Sequence, residues 1–103
     1  VCLSGYSIFG KLVAKEGELE TLSSILLEAA ESMKQVESCS VYIVNASKQE
    51  QAVFVFEVWE SEQAHQASLS LPFTQTLIQK AKPILAGVER LAAMEALGGK
   101  LTT

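Results

Sequence analysis

The chain has 103 residues, of which 49% are apolar and 19% charged, and its formal charge is −4. That length supports a single core hiding roughly two-thirds of the unfolded chain's surface, so one domain over 1–103 is expected, with its core in about 6–97 and a flexible tail at 98–103. The acidic balance, without any cluster of Lys or Arg, excludes a nucleic-acid or anionic-membrane surface, and no apolar run approaches the ~20 residues that span a bilayer.

Cys2 and Cys39 lie far apart without metal-site spacing and read as reduced thiols. The opening residues lack the layout of a signal peptide. A cytoplasmic protein with no metal and no cofactor is the expectation.

Residues 6–15 place Ile8, Leu12 and Ala14 on one side and Phe9 and Val13 on the other, the alternation of a strand with two useful faces. Glu16-Gly17-Glu18 supplies a breaker and negative charge where a helix dipole favours it. Leu19, Leu22, Leu26, Ala29, Ala30 and Met33 then recur at helical spacing, and an amphipathic helix over 18–36 follows. A second strand over 39–45 alternates Cys39, Val41 and Ile43 against Ser40, Tyr42 and Val44, and Asn45 to Glu50 forms the polar connection. The run Ala52–Trp59 is β-branched and aromatic, apolar on both faces, and reads as an interior strand.

Ser61 is an N-cap for a short helix carrying Ala64, His65 and Ser68. Pro72 interrupts that helix, a second piece runs over 73–81, and Pro83 ends it. Residues 88–97 contain Ala92, Ala93, Ala96 and Leu97, which favour helix by propensity. Element order makes them the fourth strand instead.

Strand, helix, strand, strand, broken helix, strand is the ferredoxin-like split βαβ plan, an α+β fold with a four-stranded antiparallel sheet and its helices on one face. The other face is left bare, yet the third strand presents Phe54, Phe56 and Val58 on one side and Val53, Val55 and Trp59 on the other. An apolar patch of that size calls for a partner, most simply the same face of a second copy. A homodimer through the open sheet face is expected.

The residues Phe56-Glu57-Val58-Trp59-Glu60-Ser61-Glu62, then Ala64-His65 and the stretch 69–73, resemble the strand-to-helix signature of the antibiotic-biosynthesis monooxygenase domain. Ala14-Lys15-Glu16-Gly17 and the placing of Cys39 and Tyr42 are similar to that family's layout. The resemblance spans about 8–97 and implies a dimeric α+β barrel. It covers cofactor-independent monooxygenases of quinol-type aromatics, haem-degrading oxygenases and isomerases, so it implies the fold more sharply than the chemistry.

The haem-degrading branch uses an Asn, the Trp and a His at positions that are Gly10, Trp59 and Ile78 in this chain, and only Trp59 is retained. Many quinol-type members carry His at the positions of Ser68 and Phe73. Oxygenation survives both departures, because an electron-rich substrate can itself reduce oxygen once deprotonated, leaving the protein to orient it, shield it and move a proton.

His65 is the one histidine, suited to proton transfer by its ordinary pKa or else simply facing solvent. Tyr42 supplies a phenol donor or packs as a strand tyrosine. These two are the catalytic candidates, and Trp59, Phe73, Ser68 and Glu57 are the substrate-binding ones. Trp59 either stacks on a planar ligand or anchors sheet to helix. Buried Glu57 must be paired or protonated, as a proton acceptor or, the favoured reading, as one side of an intersubunit salt bridge.

The leading expectation is therefore a cofactor-independent monooxygenase of a small planar aromatic or quinol-like substrate. The alternatives are a non-catalytic small-ligand-binding or assembly domain of the same fold and an isomerase or epimerase of a small polar substrate, the last disfavoured by the apolar lining expected around Trp59 and Phe73.

Overall fold

The computed structural model describes residues 5–100; Cys2 and the last three residues of the expected tail lie outside them. Four strands, β1 (Gly5–Ala14), β2 (Cys39–Ser47), β3 (Ala52–Trp59) and β4 (Leu85–Ala96), alternate with α1 (Leu19–Met33), α2 (Glu62–Ser68) and α3 (Pro72–Ala81). All strand pairs are antiparallel, in the order β2-β3-β1-β4. This is the ferredoxin-like α+β arrangement expected from element order.

The boundaries differ from the sequence reading for local reasons. Helix α1 stops at Met33 because Lys34, Gln35 and Val36 donate their amides to carbonyls three residues back, at 3.3, 3.2 and 3.0 Å, tightening the chain into a turn. Strand β2 continues to Ser47, since Ala46 and Ser47 still pair with Val53 and Ala52. The reversal is left to 48–51, where Gln51 takes φ 52°.

Pro72 opens α3 as well as closing what precedes it, as a residue with fixed φ and no N–H can at a helix start. Ser61 caps α2 as expected, its Oγ accepting the Ala64 amide at 3.0 Å. Strand β4 begins at Leu85, and its alanine-rich end pairs with β1 as far as Gly5↔Ala96. Ladder bonds to a central strand outweigh helix propensity there.

The register puts the even-numbered side chains of β1 on the same face as the odd-numbered ones of β3, and the helices cover that face. Leu22 and Leu26 of α1 pack on Val53, Val55 and Ala14 at one end of the layer; Met33 packs with Ile8 and Trp59 at the other. Trp59 is wholly buried. Gly5 pairs close by with φ +151°, and a Cβ there would run into the Trp59 carbonyl oxygen, so glycine is required.

The uncovered face carries Phe9, Phe54 and Phe56, with the Phe9 ring 5.8 Å from Phe54 and 6.4 Å from Phe56. Ile43 and Met94 stand on the same face, 52% and 43% exposed. Lys11 lies over the Phe54 ring at 5.6 Å and pairs with Glu50 at 2.8 Å.

Candidate functional site

Where the layer between sheet and helices widens toward Trp59, it forms a cavity of about 230 Å³ that opens to the surface. Ile8, Gly10, Tyr42, Val55, Glu57 and Arg90 bound it from the sheet, and Leu26, Met33, His65, Ser68, Thr74 and Leu77 from the helices. The missing side chain of Gly10 is part of that space. Leu69, Ile78 and Val88, all substantially exposed, form its rim.

A wider depression of about 620 Å³ lies between the start of β1 and the end of β4. It is an open surface groove bearing Glu60, Glu62 and Glu95. The cavity between sheet and helices is the better site, because it combines apolar walls with a few convergent polar groups.

Those polar groups form one connected cluster. The Trp59 indole N–H donates to Glu57 Oε1 at 2.9 Å, the His65 ring stands edge-on to Trp59 at 5.5 Å and tilted to Tyr6 at 6.1 Å, and Arg90 Nη1 donates to Tyr6 Oη at 3.4 Å. Burial raises the Glu57 pKa above the ordinary carboxylate value, against the opposing pull of the Trp59 hydrogen bond and the Arg90 charge. Burial also lowers the pKa of His65, helped by Arg90 and opposed by Glu62, so the imidazole is held neutral.

Burial, with the Glu57 and Cys39 charges adding to it, drives the Tyr42 phenol pKa upward and makes it a hydrogen-bond donor rather than a base. The Cys39 thiol, whose Sγ donates to the Val41 carbonyl at 3.4 Å, is pushed up to about 11, chiefly by burial.

Of the residues singled out from the sequence, Tyr42, Glu57, His65 and Ser68 meet at this cavity. Trp59 lies behind its wall and orients Glu57. Ser68 donates its hydroxyl to the His65 carbonyl at 2.6 Å, holding the turn that carries His65. Phe73 lies partly buried against the Trp59 cluster and lines a separate groove between α1 and α3. Glu57 turns to the helix side of the sheet, where the Trp59 N–H is its partner, and the open face lies on the other side. Its place therefore does not suit a salt bridge across a sheet-to-sheet dimer.

Two residues were not singled out. Thr74 enters from the first turn of α3, and Arg90 from β4 opposite Gly10. His65 Nδ1 and Thr74 Oγ1 are buried without a hydrogen-bond partner. Among the described residues, no three His, Cys, Asp or Glu side chains gather as a metal-holding group, and no helix is long and apolar enough to cross a membrane.

A ferredoxin-like α+β domain with a ligand-sized cavity between sheet and helices is the class this geometry defines. The sequence profile of the family described as antibiotic biosynthesis monooxygenase matches residues 6–80. Among solved structures, a protein of Chloroflexus aurantiacus J-10-fl, provisionally named an antibiotic biosynthesis monooxygenase, is 32% identical, with 95% of this chain and 96% of that one covered and a TM-score of 0.75. Two others with the same provisional name share the fold. One, from Bacteroides thetaiotaomicron, is 18% identical over 95% of both chains with a TM-score of 0.82. The other, from Deinococcus radiodurans, is 19% identical over 95% and 96% with a TM-score of 0.75. No curated protein matches. The chain belongs to the antibiotic biosynthesis monooxygenase family.

Proposed function

We propose that this chain is a cofactor-independent monooxygenase of a small planar aromatic or quinol-like substrate, with Glu57 as the group that takes the substrate's proton. The observation that supports this most directly is the Trp59 N–H bond to Glu57 at 2.9 Å, on the wall of an otherwise largely apolar cavity. A carboxylate with a raised pKa is a stronger base than one in water, and the indole fixes its direction. Neutral His65 and the Tyr42 phenol then serve as hydrogen-bonding and proton-relaying groups.

Once deprotonated, the substrate gives one electron to O₂, and the radical pair recombines as a hydroperoxide. Loss of water leaves one oxygen atom on the ring carbon and the other in H₂O, with the two hydrogens coming from the substrate. The apolar walls keep bulk water from the intermediate.

Oxygen-uptake and product analysis with a panel of quinols and anthrones test the reading. Turnover that consumes O₂ and incorporates one labelled oxygen atom is expected; identical products with and without air overturn it and favour a binding or assembly role.

The same proposal includes a homodimer through the open face, supported by the Phe9, Phe54 and Phe56 cluster with exposed Ile43 and Met94. Sedimentation should give a dimer that Ile43→Asp converts to monomer. A wild-type monomer at micromolar concentration overturns that part.

A further inference from the structure

The dimensions of the cavity and Arg90, which shares its wall with the Glu50-paired Lys11, say more about the ligand than planarity does. An apolar cavity of about 150 Å³ admits benzene. This one, at about 230 Å³, leaves about 80 Å³ beyond that, the liquid share of two to three waters at about 30 Å³ each. One ring with two or three small substituents fits within it, and a three-ring ligand would have to project through its exposed rim.

The Arg90 side chain reaches the same space. Among the described residues it forms no ion pair, and Tyr6 Oη at 3.4 Å is a long, neutral hydrogen-bond partner. A guanidinium with donors to spare beside apolar walls is a receptor for an oxyanion. On the helix side, His65 and Thr74 line the cavity, are 7% and 5% exposed, and each keeps a polar atom unpartnered. Such an atom costs on the order of 1–3 kcal/mol while unpaired, a cost that a hydrogen bond to a ligand oxygen removes.

We infer that the ligand is a single-ring phenol whose oxyanion is held by Arg90, with a second ring oxygen taken up by Thr74 and His65. This rests on the oxygenase reading only for the site's purpose, since binding is measured without oxygen. The ring lies along Val55 and Leu77, and the exposed rim accommodates a short substituent.

The test is calorimetric titration under nitrogen at neutral pH with three probes: 4-nitrophenolate, its uncharged methyl ether 4-nitroanisole, and the three-ring anthrone. 4-Nitrophenolate should bind about tenfold more tightly than the ether, the worth of one charge-assisted hydrogen bond, and anthrone should bind more weakly than 4-nitrophenolate. Arg90→Gln should remove the preference for the anion without changing affinity for the ether; Arg90 is exposed, and an unchanged melting temperature checks the fold. Thr74→Val should weaken 4-nitrophenolate and spare a phenolate with no second oxygen.

Equal binding of anion and ether, an Arg90→Gln protein with the full preference, or anthrone binding more tightly than 4-nitrophenolate overturns the inference. Selective phenolate binding with no O₂ uptake on any quinol sustains it and defeats the oxygenase reading. O₂ uptake on anthrones but not on single-ring quinols does the reverse.

Discussion

At one end of the layer between sheet and helices the buried cluster is wholly aliphatic, made of Ala14, Leu22, Leu26, Val53, Val55 and Ala81. At the other end Trp59 is buried to the same degree but packs with Ile8 and Met33 beside His65, Ser68 and Thr74, themselves almost inaccessible to water. Strands β1 and β3 and helix α1 contribute to both ends, so most of the architecture is shared. The difference is that the first end is closed by aliphatic side chains, of which Leu26 and Val55 also border the cavity, whereas the second spends stability on desolvated polar groups around that unfilled volume. A protein under selection for stability alone has little reason to keep such groups, and their clustering marks the second end as the site.

Replacing a large side chain at each end separates the two. Trp59→Ala should lose about 3–5 kcal/mol in a urea unfolding experiment and ligand binding with it, since His65 loses the indole it stands against. Leu22→Ala should lose about 2–5 kcal/mol while the folded protein binds ligand as before; an affinity that falls with stability shows that the ends are one unit.

Glu57→Gln keeps an oxygen for the Trp59 N–H and removes the base. Turnover should drop by about 10²–10⁴ with the urea midpoint little changed, and retained turnover transfers the proton step to another group.

The pH dependence of stability is the smallest effect, and its sign differs between the two titrating neighbours. Glu57, its pKa raised on folding, holds its proton more tightly in the native state. Its contribution is full below the ordinary carboxylate range and is lost as pH rises through the folded pKa. His65, its pKa lowered on folding, contributes stability that is present above its ordinary pKa and lost as pH falls through the folded one. Urea midpoints across the weakly acidic to neutral range should therefore lose their fall with rising pH in Glu57→Gln and their rise with pH in His65→Asn. A variant whose profile superimposes on the wild type removes that residue from the buried titrating cluster.

Much of this arrangement is legible in the amino-acid order because it depends on period and local chemistry. Two-residue alternation marks β1 to β3, helical spacing of leucines marks α1, the Ser61 hydroxyl marks the start of α2, and element order overrules the alanines of β4. The parity of β3 already places Glu57 and Trp59 on one face. No local signal states that the indole donates to that carboxylate, because a pair two residues apart on a strand meets only when its surroundings press the side chains together.

Arg90 shows the division most clearly. Simple antiparallel counting from Phe9↔Ala92 would put Arg90 opposite Lys11, on the open face. The irregularity between Phe9 and Gly10 sets it opposite Gly10, on the face of the cavity, since one extra residue in a strand reverses the side chains beyond it. Composition and periodicity by themselves determined the elements, their order and a sheet with one bare apolar face. Only the tertiary structure decided which way Arg90, Phe73 and Thr74 turn, because strand register and helix seating are set by contacts between segments distant in the chain.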